Sequence, residues 1–334
     1  MERRVLCTMN TDQTIRVSIG TATVLGLTNI CCDVFPTTAY LLTTGRCMSR
    51  CAFCAQGKSS NTREGFLSRV SWPEFPVNQV FKALSKGTAD LQRICIQATS
   101  SPGIRGVVRK LAGDIAEIKK AYGYKYNISL SYRPSSIDDM ESLFSLGVDR
   151  IGIALDAATE KIYKKRKAGS GSWESTMNLL RESSEIFPGR ISSHLIVGLG
   201  ETEEELIETM QILKDFGIVI GLFAFTPIEG TPMEHTPQPQ LDSYRRVQIA
   251  RHLITKGYSA ASDFECINGR ISRINMSAED LERIMSSGVA FETSGCPGCN
   301  RPFYNERPGG VMYNYPRPLT EDEVYNCLSE SGLG

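Results

Sequence analysis

Three cysteines, Cys47, Cys51 and Cys54, stand in the segment CMSRCAFC, a C-x3-C-x2-C spacing. Three thiolates on one short loop can hold three irons of a [4Fe–4S] cluster and leave the fourth iron open to a small ligand. An open iron belongs to a reaction centre rather than to a plain electron carrier.

The other cysteines sharpen the argument. Eleven occur in 334 residues. A disulfide framework suits small secreted domains, and no apolar run follows the early charges Glu2, Arg3 and Arg4 to suggest a signal peptide or a membrane span. The expected setting is the cytoplasm, and metal is the expected use of the thiols. Lys and Arg total 37, as do Asp and Glu, so no net field attracts nucleic acid or an anionic membrane. The densest basic run, Lys161–Lys167, reads as a solvated helix end.

Short apolar runs alternate with amphipathic segments between Thr38 and Phe225. Candidate strands are Thr38–Thr44, Arg93–Thr99, Asn127–Tyr132, Arg150–Asp156, Ser193–Gly198 and Ile218–Phe225. Between them, Glu203–Phe216 aligns Leu206, Met210, Leu213 and Phe216 on one helical stripe, with Thr202 and Glu205 spaced as a capping box. Ile137–Leu146 is a second such helix, ending at Gly147. Helix-separated strands read as right-handed βαβ units. Six units predict an α/β fold, a partial (βα)6 TIM-like barrel spanning residues 37–235, after an N-terminal extension, 1–36. Residues 236–334 form a C-terminal helical segment, with a capped helix over Asp242–Lys256, and then a Gly/Pro-rich tail that needs something to order it. The C-x3-C-x2-C loop follows the first strand, where a barrel puts its chemistry.

With Phe53 as the aromatic before the last cysteine, this arrangement resembles the radical S-adenosylmethionine (SAM) superfamily. The resemblance implies a [4Fe–4S] cluster on Cys47, Cys51 and Cys54 whose open iron chelates SAM. Ser131 and Arg133 at the end of the third strand, Asp156 at the end of the fourth, and the cations Arg166 and Lys167 become candidates to meet SAM. The segments VGLGETEEE and IEGTPM follow the fifth and sixth strands, and the latter resembles biotin-synthase-like members.

A second pair, Cys296 and Cys299, forms CPGC in the tail. Two thiolates do not fill a metal's shell. Cys31 and Cys32, just before the first strand, are the expected partners, and Ser294 is a further candidate through its oxygen. Cys95 lies in an apolar strand and reads as a buried hydrophobe; Cys7, Cys266 and Cys327 receive no role. The pair suits an auxiliary iron–sulfur cluster, a structural zinc or a redox dithiol.

The tail SGCPGCNRPFYNERPGG…MYNYPRPL resembles the two-protein type of lipoyl synthase. The chain lacks the N-terminal three-cysteine motif and the C-terminal Arg-Ser-Ser-Tyr of the single-protein type. The resemblance implies a sulfurtransferase with two [4Fe–4S] clusters and SAM. It would act on an octanoylated lipoyl-carrier protein, with a sister radical SAM subunit and an electron donor such as ferredoxin or flavodoxin. Neither nucleic acid nor membrane is an expected partner. Three histidines, His194, His235 and His252, form no triad and read as packing or surface residues. The rival readings are a biotin-synthase-like or peptide-modifying radical SAM enzyme and a non-enzymatic iron–sulfur scaffold or electron carrier.

Overall fold

The computed structural model describes residues 13–87, 90–307 and 309–333. The early charges and Cys7 lie outside them. Eight strands form one sheet: β1 (Thr14–Val17), β2 (Thr38–Thr43), β3 (Glu74–Pro76), β4 (Arg93–Gln97), β5 (Asn127–Ser131), β6 (Arg150–Gly152), β7 (Ile191–Val197) and β8 (Val219–Ala224). Their order is β8-β7-β6-β5-β4-β2-β1-β3. The six strands from β2 to β8, β3 excepted, run parallel. They are the six expected from the sequence. The architecture is an α/β partial TIM-like barrel.

Two strands were not legible. β1 and β3 pair antiparallel on the free side of β2, with Ile15 opposite both Thr43 and Phe75. At three or four residues each, they carry too little alternation to stand out. Their role is to satisfy the backbone of an otherwise exposed strand edge.

Helices α1 (Ile19–Val24), α2 (Val77–Ser85), α3 (Ile104–Tyr122), α4 (Ile137–Ser145), α5 (Glu160–Arg166), α6 (Trp173–Ile186), α7 (Glu203–Asp215) and α8 (Leu241–Lys256) cover the sheet or link its strands. The local signals hold. Thr202 and Glu205 cap α7 reciprocally, and α8 ends on Gly257 at φ 74°. The basic run divides: Lys164 pairs with Glu160 on the surface of α5, whereas Lys167 is buried.

Strand alternation decides what faces the barrel interior. In β4, Ile94 and Ile96 are fully buried in the main core, while Cys95 and Gln97 line an internal chamber. In β5, Ile128 and Leu130 pack in the core, and Ser129 and Ser131 line the chamber. The same holds in β7 for Ser192 and His194, and in β8 for Gly221 and Phe223.

The tail is ordered by hydrogen bonds from the scaffold. In α8, buried Arg245 donates to the carbonyls of Met312 and Tyr313 at 2.6 and 2.9 Å, and Tyr244 donates to Asn314 at 3.0 Å. Asn305 donates to the Ala224 carbonyl of β8 at 2.8 Å. The tail thus has a polar anchor at both the helix and the sheet. No helix among the described residues is long and apolar enough to cross a membrane.

Candidate active site

The chamber encloses about 350 Å³. At its upper end, the loop after β2 presents Cys47, Cys51 and Cys54 to the cavity. Consecutive turns wind this loop: the Cys54 amide bonds the Cys51 carbonyl at 3.2 Å, and the Gly57 amide bonds the Cys54 carbonyl at 3.0 Å. A Cβ on Gly57 would meet the Cys51 and Cys54 carbonyls at 3.0 and 3.1 Å, so the winding needs glycine. The loop is also stitched to the far side of the barrel. Arg50 and Cys51 pair with Ala168 and Lys167, and the Ala52 amide donates to the Arg166 carbonyl at 2.7 Å.

Burial pushes the Cys51 thiol up to about 11 and the Cys54 thiol up to about 12. Alone they would stay protonated at neutral pH. A cationic cluster reverses that preference, because a coordinating thiol is deprotonated outright. Three thiols on one cavity wall, held by a loop with no room for extra atoms, fit a [4Fe–4S] cluster with one open iron.

Below this loop lies a charged triplet. Asp156 is 5% exposed and bonds Lys167 Nζ and His194 Nε2, both at 2.7 Å. Burial alone would raise the Asp156 pKa, but Lys167 and His194 override it and hold the carboxyl well below the usual range. Asp156 sits at φ 67°, a strained conformation for a residue with a side chain.

The other expected SAM-facing residues separate. Phe53, Ser131 and Arg133 line the chamber. The Arg133 guanidinium is engaged at α6, donating to Thr176 and Ser175 at 2.8 and 3.2 Å. Arg166 does not reach the cavity; its Nε donates to the Leu199 carbonyl at 3.1 Å. Lys167, one residue on, takes the inward position, because the short pairing with Arg50–Cys51 turns the chain there.

The opposite end of the chamber is closed by CPGC. The Pro297 carbonyl accepts from Arg93 at 3.2 Å, and the Gly298 carbonyl accepts from Thr37 at 2.7 Å. Asn300 accepts from the Thr37 amide at 3.0 Å. Thr37 and Arg93 mark the starts of β2 and β4, so the tail plugs the N-terminal ends of the strands. Gly298 lies against Gln92, where a Cβ would approach to 2.5 Å.

Cys31 and Cys32 do not join this pair. They line a separate cavity, because the chain before β2 passes outside the barrel wall. Outside the upper loop, Cys95 is the thiol that lines the chamber with Cys296 and Cys299. It packs with Cys299 against Tyr40, Leu42 and Trp72, and both thiols of the pair act electrostatically on it. Burial pushes Cys95 up to about 12. Cys95 packs against an apolar cluster as the sequence suggests, and it also lies in the chamber with the CPGC pair, a position that the inward alternation in RICIQ could have signalled. Ser294 lines the chamber beside Cys296, and its Oγ accepts from the Leu222 amide at 2.8 Å.

Behind this trio, the buried Arg93 Nη1 has no hydrogen-bond partner, and a hydrogen bond from Ser129 favours the Cys95 thiolate against the effect of burial. Arg93 and Arg150 both act on Cys296 in the direction that favours its thiolate, although burial outweighs them and raises its pKa. Tyr40 Oη lies 3.2 Å from Cys299 Sγ and accepts from the Arg301 amide at 3.0 Å. Among the described residues no three of His, Cys, Asp and Glu converge on a single-ion site. A zinc needs its sulfurs about 2.3 Å from one point. Three thiols lining one chamber, with Arg93 and Arg150 acting on Cys296, are a donor set that fits an iron–sulfur cluster.

Two more residues were missed. His194 faces the chamber through Asp156, as above. Tyr304 stands between the thiol groups, acted on by both Cys54 and Cys95, with its ring 5.4 Å from Phe223. Sequence placed it in the tail and gave no sign of where the tail would go. His235 is exposed and His252 buried, in keeping with surface and packing roles.

Comparison with known proteins agrees with this geometry. A protein named biotin synthase from Sulfurihydrogenibium sp. (strain YO3AOP1) is 28% identical over 193 residues, covering 57% of this chain and 54% of that one. The ribosomal protein uS12 methylthiotransferase RimO of Alteromonas mediterranea is 25% identical over 312 residues, covering 87% of this chain and 62% of that one. The chain thus spans less than two thirds of the length of these relatives. In fold, it is similar to the FeFe-hydrogenase maturase HydG from Carboxydothermus hydrogenoformans, with a TM-score of 0.51 at 15% identity over 89% of this chain and 66% of that one. Residues 41–213 match the model of the radical SAM superfamily, a stretch that holds the end of β2, the three-cysteine loop and the four parallel strands β4 to β7, and the chain belongs to that superfamily.

Proposed function

We propose that this chain is a sulfur-inserting radical SAM enzyme acting as a lipoyl synthase component, on an octanoyl chain carried by a protein lysine. The observation that carries the reading is the second trio of thiols, Cys95, Cys296 and Cys299, at the opposite end of the chamber that Cys47, Cys51 and Cys54 line.

In this reading Cys47, Cys51 and Cys54 would hold a cluster that supplies the electron for cleavage of bound SAM, and the second trio, with Ser294 as a further candidate ligand, would hold an auxiliary cluster able to supply sulfur. The chain's own residues orient and enclose. Asp156, held ionised by Lys167 and His194, offers a fixed acceptor to the hydroxyls or amine of SAM. Phe53 covers the loop. Ser131 lies at the strand end nearest the cavity mouth. The apolar walls Leu42, Ile153 and Phe223 suit an unactivated methylene, whose C–H bond no general base can ionise, and keep water from a radical. CPGC closes the floor, so a substrate held in the chamber would face the second trio and not solvent at that end. An electron donor such as ferredoxin or flavodoxin, a sister subunit and an octanoylated carrier are the proposed partners, and the cytoplasm is the proposed setting.

The similarity to proteins named biotin synthase favours a second reading, sulfur insertion into a free small molecule. The test is an anaerobic assay with reconstituted protein, SAM and dithionite, offered either an octanoylated carrier domain or free small acids. Sulfur on the carrier supports the lipoyl reading. Turnover of free acids alone replaces it. SAM cleavage without sulfur transfer to any substrate overturns both.

A further inference from the structure

A second cavity of about 690 Å³ adjoins the chamber and shares Tyr40, Arg301 and Tyr304 with it. Its volume lies in the range of small-molecule sites. Phe66, Val70 and Phe303 supply apolar wall, and Trp72, Arg69 and Arg307 supply donors.

These donors lack acceptors. Trp72 is 1% exposed, and its Nε1, like Arg69 Nε, is buried without a hydrogen-bond partner. A buried indole N–H is normally satisfied. The hydrogen bond Arg69 does make is a long one, from Nη2 to Gln238 at 3.5 Å. Among the described residues neither Arg69 nor Arg307 forms an ion pair. Burial lowers the Arg69 pKa and Arg307 lowers it further, against the pull of Glu306. Glu306 is already committed: it accepts from the Asn305 and Asn314 amides at 3.1 and 2.8 Å. Arg69 and Arg307 therefore share with Arg301 one cavity whose acids are Asp33 and the committed Glu306, and neither Arg69 nor Arg307 is paired with either acid, an arrangement that an incoming anion stabilises.

We infer that this second cavity binds an amphipathic anion, with a carboxylate or phosphate between Arg69 and Arg307 and an apolar chain along Phe66, Val70 and Phe303. The indole N–H of Trp72 would donate to the same ligand. This site is separate from both thiol trios, and the inference does not depend on sulfur insertion.

The experiment uses the full chain, reconstituted anaerobically, with sodium octanoate, octyl phosphate and neutral octanamide as probes. Binding is followed by calorimetry and by tryptophan emission, since Trp72 is one of only two tryptophans. At least one anion should bind ten times more tightly than octanamide or better, and the stronger of the two identifies the head group. Arg69→Gln should weaken that binding at least tenfold, and Arg69→Lys should restore part of it. Arg307→Gln, at an exposed position that folding tolerates, should weaken it severalfold. Trp72→Phe should abolish the emission change. Equal binding of octanamide, no binding of any probe, or unchanged affinity in both glutamine variants would overturn the inference.

Discussion

The two thiol trios are built in opposite ways. The upper one comes from eight consecutive residues, Cys47 to Cys54, on one loop. The lower one joins a strand residue, Cys95, to a tail pair some two hundred positions later. A local trio depends on turn geometry, and a distributed trio depends on whatever docks the tail. The upper site should therefore survive damage elsewhere, and the lower one should fail whenever the tail lifts.

The largest effect expected is loss of one function at a time. Changing Cys47, Cys51 and Cys54 together to alanine should abolish SAM cleavage and lower iron from about eight to about four per chain. Changing Cys95, Cys296 and Cys299 should lower iron equally but leave cleavage standing while product disappears. Mössbauer spectra with a cleavage assay check both, and loss of cleavage in the second variant would break the comparison. Within the lower trio, Cys95→Ala should remove the auxiliary iron by itself. The double change of Cys31 and Cys32 to alanine should leave iron unaltered. The opposite pattern would restore the sequence-based ligand set.

Next in size are the scaffolds. Arg245→Met removes the donors to Met312 and Tyr313 and the ion pair with Glu330. It should cost about 3 kcal/mol in urea unfolding. Hydrogen exchange should quicken at residues 294–307 and not at the upper loop. Equal quickening at both would mean that the tail and the loop open as one unit. Glycine substitutions give a smaller contrast. Gly298→Ala places a Cβ against Gln92 in a left-handed backbone, and Gly57→Ala crowds two carbonyls. Each should cost on the order of 1–2 kcal/mol and loosen its own trio alone, read as slower reconstitution of that cluster.

The smallest effect is a pH dependence confined to the upper site. The Asp156 carboxyl is held below its ordinary range in the folded chain. Its stabilising contribution is complete above the unfolded value of about 3.9 and is lost as pH falls through the lower folded value. In metal-free protein, Asp156→Asn should lower stability near pH 7 and flatten the decline below about pH 4. An unchanged acid limb in thermal unfolding would remove Asp156 from the account.

Much of this was legible in one dimension. Six strands announced themselves by apolar runs, α7 by its capping box, and the upper trio by its spacing, because each signal is local and repeats with the period of its element. Ser131 and Asp156 could be placed at strand ends for the same reason, and Phe53 by its place in the cysteine motif. The lower trio was only half legible. CPGC marked itself as an unfinished shell, but its third thiol was hidden in RICIQ, where an inward-facing cysteine and a core cysteine look alike. Proximity in sequence favoured Cys31 and Cys32. Arg166 and Lys167 were equivalent cations until a two-residue pairing turned one outward and one into the barrel. The sequence by itself determined the superfamily, the barrel and the upper site, since these follow from short-range spacing and alternation. Contacts between distant segments, which no local pattern encodes, close the floor with the tail, bring Cys95 into the chamber with Cys296 and Cys299, and set Tyr304 under the influence of both Cys54 and Cys95.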